Sequence, residues 1–216
     1  MKNNLPKICY WCGIELDNET NKIEHVPPYS FFPRGHGSDL MKVPSCAAHN
    51  NQFSALDEDF QIYVKAYGSN QIAIDDFKDR VDRGLRRVER RSFVERLGDN
   101  SFHIEINGEK RTVLKIDTES TQMFFGKIIR GIYFYHNEKP AIGMVTSFSL
   151  QMPNPDLNSE ELFIELSEYF KYMVEGDYNN PDVFRYRYLN LNDGANFFVV
   201  LDFYLGIEVI GLITPE

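Results

Sequence analysis

Cysteine is scarce in this 216-residue chain, which has three, and the odd count leaves no closed disulfide framework of the kind that staples small secreted domains. Long apolar runs are missing as well. No segment approaches the roughly twenty consecutive apolar residues of a membrane-spanning helix. The opening Met1-Lys2-Asn3-Asn4-Leu5 lacks the charged-then-apolar shape of an export signal. The expected setting is therefore cytoplasmic, with no membrane partner and with thiols kept reduced. Positive charge is in deficit: 23 Lys and Arg stand against 32 Asp and Glu, a net charge of −9, so binding to a phosphate backbone would have to use a local basic patch. There is no internal repeat, low-complexity linker, phosphate loop or dinucleotide fingerprint. Core-forming material is plentiful. Hydrophobic residues make up 43% of the chain, with 17 Phe and 12 Tyr, enough for one or two packed cores.

The few cysteines are arranged with a histidine as Cys9-x2-Cys12 and Cys46-x2-His49. Two knuckles of two ligands, each pair separated by two residues, suit a tetrahedral zinc ion, because a tight turn aims both side chains at one point. Three buried thiols and an unrelated imidazole are the plainer alternative. The stretch between the pairs is longer than the ~15–20 residues of a bare zinc ribbon, and it carries Glu24-His25, a carboxylate and an imidazole that a structural zinc does not need. Asn50 follows the second pair directly. Taken singly, Glu24-His25 could be a surface pair and Asn50 a residue that caps helix N–H groups.

Together, these segments resemble the HNH, or ββα-metal, family of endonucleases. Glu24-His25-Val26-Pro27 is similar to the family's acidic-His-hydrophobic-(x)-Pro segment, and Cys46-Ala47-Ala48-His49-Asn50 to its Cys-x2-Cys-Asn segment, with His49 in place of the last zinc cysteine. The resemblance covers residues 7 to 60 or so. It implies a hairpin whose first strand ends in the acidic residue and the histidine, followed by a packed helix and braced by structural zinc on Cys9, Cys12, Cys46 and His49. It further implies that His25 accepts a proton from the attacking water. Glu24 and Asn50 would supply oxygen ligands to a catalytic Mg²⁺ or Mn²⁺, and Asn51 could trade places with Asn50 in the register. Two positions depart from the family pattern. Asp39 stands where an Asn usually buttresses the histidine loop, and is expected to accept the same backbone hydrogen bonds. Phe53 stands where a Lys is often found.

Beyond this unit, residues 77 to 97 carry eight basic and four acidic residues. Helical spacing places Arg80, Arg83, Arg87 and Arg90 on one side, a stripe that either contacts nucleic acid or is a solvated face laced by pairs such as Asp79-Arg83. Asp57, Glu58 and Asp59 read as an acidic helix face or as carboxylates near the site. Lys127, Arg130, Arg185 and Arg187 are candidates for nucleic-acid contact. Periodicity predicts helices over 51–67, from about 74 to 97, 118–135 and 159–174. It predicts a hairpin around Asn107-Gly108, and strands at 144–152 and 183–191 with two more within 196–214.

The expected fold is α+β: a zinc-braced ββα-metal unit (1–68), a basic amphipathic helix (69–98), and an α+β portion with a small antiparallel sheet (99–216). That last portion is expected to dock a partner protein, form a homodimer or bind substrate. The resulting expectation is a metal-dependent endonuclease acting on nucleic acid, DNA in preference to RNA, with a role as an effector in a bacterial or phage conflict system suggested by analogy alone. The alternative is a catalytically inactive, zinc-stabilised nucleic-acid-binding or protein-interaction subunit.

Overall fold

The computed structural model describes residues 4–82, 84, 91–106, 108–150, 158–191 and 194–215. Arg83, Arg87 and Arg90 lie outside these residues, and so does the side chain of Arg80, so the expected stripe has no structural description.

The N-terminal third is a hairpin followed by helices. Strand β1 (Lys22–Val26) pairs antiparallel with β2 (Met41–Ser45), with Glu24 opposite Val43 and His25 opposite Lys42. The pleat alternates along β1: Glu24 and Val26 are buried and His25 is half-buried, so the carboxylate and the imidazole leave the strand on opposite faces. Helix α1 (Ala47–Gln52) follows β2 directly and packs back on β1. Phe53 then opens α2 (Ser54–Tyr67), which ends at Gly68 as the sequence predicts. Asn70 caps α3 (Gln71–Asp76), its side chain accepting from Ala73 N at 3.0 Å. A π-helical turn, Phe77–Asp82, comes next, and α4 (Arg91–Asp99) resumes the helical path.

The predicted hairpin around Gly108 forms from β3 (Ser101–Ile106) and β4 (Glu109–Leu114). Asp117 caps the long helix α5 (Thr118–Asn137) by accepting from Ser120 N at 2.7 Å, and this contact holds its carboxyl below the ordinary range. The remaining strands are β5 (Met144–Phe148), β6 (Val174–Glu175), β7 (Phe184–Leu191), β8 (Asn196–Phe203) and β9 (Ile207–Thr214). They form one antiparallel sheet in the order β5-β9-β8-β7-β6, with α6 (Ser159–Ser167) inserted between β5 and β6.

Both faces of that sheet are apolar, which explains why 196–214 reads as an almost unbroken hydrophobic stretch. From β8, Phe197, Val199, Leu201 and Phe203 join the core under α5, while Phe198 and Val200 face the smaller cluster under Leu162, Phe163 and Leu166 of α6.

The expected partition at residues 68 and 98 does not correspond to separate cores. Tyr10, Val26, Phe31, Met41 and Val43 of the N-terminal unit share one buried cluster with Phe60 of α2, with Phe124, Ile128 and Ile132 of α5, and with the C-terminal sheet. Gly131 is a point of close approach between them. A Cβ there would come within 2.6 Å of Val26 Cγ2, so the missing side chain lets α5 lie directly on the end of β1.

Candidate functional site

The four predicted zinc ligands converge. A backbone turn closes the first knuckle: Gly13 N donates to Cys9 O at 2.9 Å with Gly13 at φ 76°, and Cys9 N donates to Ile14 O at 2.9 Å. A further bond, Tyr10 N to Pro44 O at 2.9 Å, ties this knuckle to β2. Cys46 sits at the N-cap of α1, and His49 lies on its first turn. The ligand atoms of Cys9, Cys12, Cys46 and His49 all lie within 4.8 Å of one another, with Cys46 Sγ 3.1 Å and Cys9 Sγ 3.7 Å from His49 Nδ1. Tetrahedral zinc with Zn–S of about 2.3 Å and Zn–N of about 2.0–2.1 Å separates its ligands by about 3.5–3.8 Å, so the cluster could hold such an ion with small adjustments.

The protonation states of Cys9 and His49 suit a metal, whereas burial pushes the Cys12 thiol up, away from the ligating thiolate. Burial works against the Cys9 thiolate, but hydrogen bonding from the backbone at Cys12, Cys46 and Trp11 outweighs it and holds the thiol below its ordinary value. Burial also lowers His49, keeping the imidazole in the neutral form that ligates. Trp11, the chain's one tryptophan, stacks on the His49 ring at 5.8 Å and lies 4.9 Å from Phe53.

Glu24 and His25 leave opposite faces of β1, and Asn50 lies on α1, which packs on that strand. His25 stands at the solvent-facing side of β1, 5.8 Å from the ring of Tyr29, and its ring nitrogens make no hydrogen bond among the described residues. Burial and the neighbouring Lys42 ammonium lower its pKa, so the ring is neutral at physiological pH. Asn50 is half-buried on α1 and its amide makes no side-chain hydrogen bond among the described residues, whereas Asn51 is exposed.

Glu24 is not free. It is 6% exposed, and its Oε1 lies 2.8 Å from Nζ of Lys127, which also reaches Asp57 Oδ2 at 2.6 Å. The Lys127 ammonium stands 5.3 Å above the Phe53 ring. Burial is the main influence on both carboxyls and raises them above the ordinary range, with the Lys127 charge pulling the other way. Asp57 Oδ1 and the Tyr10 hydroxyl are buried beside this trio without a hydrogen-bond partner among the described residues. Glu24 Oε2 is the carboxylate oxygen that the ion pair leaves over.

Several expectations need correction. Lys127 is 1% exposed and serves an internal ion pair, so it does not reach nucleic acid. Arg130 is half-buried, donating to the carbonyls of Ala141 and Gly143 with its guanidinium 5.1 Å from the Trp11 ring. Arg185 and Arg187 pair with Asp202 at 2.6 Å and Glu208 at 3.5 Å across the sheet. Asp39 is exposed, in the left-handed region at φ 52°, and accepts no side-chain hydrogen bond among the described residues, so it does not buttress the histidine loop. The carbonyls of Val26 and Phe31 accept instead from the hydroxyls of Tyr178 and Tyr204. Asp57, one of the three acidic residues read from the sequence, joins Glu24 through Lys127, while Glu58 is exposed.

Lys127 and Tyr10 were not legible as site residues. The available signal was a lone lysine inside Met123-Phe124-Phe125-Gly126-Lys127-Ile128-Ile129, an apolar helical run in which a cation must find an internal partner. No helix of the described residues is long and apolar enough to cross a membrane. No family model matches the chain, and neither a curated protein nor a solved structure matches it.

Proposed function

We propose that this protein is a metal-dependent endonuclease of the HNH type, hydrolysing phosphodiester bonds of nucleic acid, DNA in preference to RNA. One observation carries the reading. A neutral, half-buried His25, whose ring nitrogens make no hydrogen bond among the described residues, follows a buried carboxylate on a hairpin strand, and the helix packed on that strand carries a half-buried Asn50 directly after His49 of the Cys3His cluster. His25 takes the proton of the attacking water, the task for which a neutral imidazole is suited. Glu24 through Oε2 and Asn50 through its amide oxygen are the groups that would hold a hard divalent cation, Mg²⁺ or Mn²⁺. Such a cation offsets the charge that builds on the phosphate and the leaving oxygen. Zinc on Cys9, Cys12, Cys46 and His49 is structural in this scheme, fixing α1 and so Asn50 against β1.

A second reading has its own support. Because Lys127 already neutralises Glu24, the unit would also suit a catalytically inactive, zinc-stabilised subunit that binds nucleic acid or a protein. A plasmid-nicking assay separates the two. The nuclease reading expects nicking in Mg²⁺ or Mn²⁺ and none in chelator. Zinc-loaded protein that leaves DNA and RNA intact in both metals supports the inactive subunit.

A further inference from the structure

His25 lies between two residues that the C-terminal half grips. On one side Lys127 of α5 holds the Glu24 carboxylate at 2.8 Å. On the other, the Tyr178 hydroxyl donates to the Val26 carbonyl at 2.8 Å, and the Val26 side chain abuts Gly131. The loop that follows is held in the same way. Lys65 Nζ donates to Ser30 O at 2.9 Å, the Tyr204 hydroxyl to Phe31 O, and Asn180 Nδ2 to Ser38 O at 3.3 Å. Each donor comes from outside the hairpin, and three of the four loop and strand-end carbonyls so held are held by residues of the C-terminal sheet or the loop that enters it.

The two tyrosines are themselves firmly placed. Tyr178 stacks on Phe32 at 6.0 Å and meets Phe184 edge-on at 4.9 Å, and its burial keeps the hydroxyl protonated as a donor. Tyr204 occupies φ 52° and Leu205 φ 55°, a left-handed pair that bulky residues seldom adopt. Ser69 secures that turn, its N donating to Tyr204 O at 3.2 Å and its hydroxyl to Leu205 O at 2.5 Å.

We infer that Tyr178 is a positioning residue for His25, fixing the end of β1 through the Val26 carbonyl and so setting where the imidazole stands. Tyr204 supports it further along the loop. This inference rests on His25 acting as the base. It gives the C-terminal sheet a part in the chemistry without any contact to substrate, and it supplies the brace that Asp39 does not.

Tyr178→Phe removes one oxygen and keeps the ring. We expect unchanged zinc content and cooperative unfolding, faster amide exchange between His25 and Phe32, and kcat lower by about tenfold or more with KM unchanged, since small misplacement of a catalytic group is costly. Tyr204→Phe, acting at Phe31, should give a smaller loss in kcat. If Tyr178→Phe protein, assayed well below its unfolding temperature, turns over at the parent rate, the hydroxyl is merely structural and the inference is overturned. Should the parent itself fail to cleave, the nuclease reading fails separately and exchange decides the positioning: unchanged exchange overturns it, and faster exchange sustains it.

Discussion

Replacing Lys127 by Met tests the buried trio most severely. The side chain of Lys127 is 1% exposed, those of Glu24 and Asp57 are 8% and 16% exposed, and the two contacts are 2.8 and 2.6 Å. Met keeps most of the volume but leaves two buried carboxylates without their cation. Removing one partner of a buried pair costs about 3–5 kcal/mol, a large share of the roughly 5–15 kcal/mol that holds a domain together. For a chain of this size that corresponds to a fall in Tm of about 6–20 °C.

The pH dependence has a defined sign. Burial already holds Glu24 and Asp57 above the ordinary carboxylate range, and loss of the ammonium raises both further. A carboxyl raised in the folded state favours folding below its ordinary value, and that contribution is lost as pH rises through the folded value. The deficit of the variant should therefore be largest at neutral pH and above, and should shrink on acidification. Thermal unfolding of parent and variant from pH 5.5 to 8 measures it. Adding Glu24→Gln and Asp57→Asn to Lys127→Met should recover much of the loss, because a neutral trio carries no uncompensated charge. A variant within 2 °C or so of the parent at pH 7.5, below the ~2–4 °C expected per kcal/mol, would show that Lys127 does not sit between these carboxylates.

Other expectations follow from the same geometry. Stripping zinc, or Cys46→Ser, should loosen the N-terminal unit, since structural zinc contributes about 10 kcal/mol or more of apparent binding energy in small units that fold around it. Trp11, stacked on His49, should report the loss by fluorescence, and metal analysis showing no zinc would remove the assignment. Cleavage should rise with pH as His25 loses its proton, with a midpoint below that of an ordinary histidine because burial and Lys42 lower it. Lys42→Ala should move that midpoint upward, and an unmoved pH–rate curve would count against His25 as the base. If the arginine stripe binds phosphates, Arg83→Glu with Arg87→Glu should weaken nucleic-acid binding and flatten its salt dependence; equal slopes would mark a solvated face.

Local spacing made the metal cluster legible. Each x2 pair sits on one turn, so cysteine and histidine positions alone fix the donor set. The same holds for the hairpin at Gly108, for α5 and for the β8–β9 pair, whose periods lie within single elements. What could not be read was long-range. Lys127, Arg130, Arg185 and Arg187 looked like cations for phosphate, but folding brings each to a carboxylate, a carbonyl or a ring within the molecule. Asp39 matched a buttressing position by sequence, yet its left-handed backbone turns it to solvent, and the loop's carbonyls are taken by tyrosines from beyond residue 170. The core shared across the expected partition was hidden for a related reason. Composition shows no linker-free docking surface, and only the packed structure reveals that Val26 and α5 meet at a glycine.

Cleavage by His25→Ala protein tests the central claim most directly. The variant should keep its zinc and its fold, because His25 ligates nothing in the Cys3His cluster and its ring makes no hydrogen bond among the described residues. A general base contributes a factor of about a hundred to ten thousand in rate, so nicking in Mg²⁺ or Mn²⁺ should fall by at least about a hundredfold. Folded, zinc-loaded His25→Ala protein that cuts as fast as the parent would contradict the account.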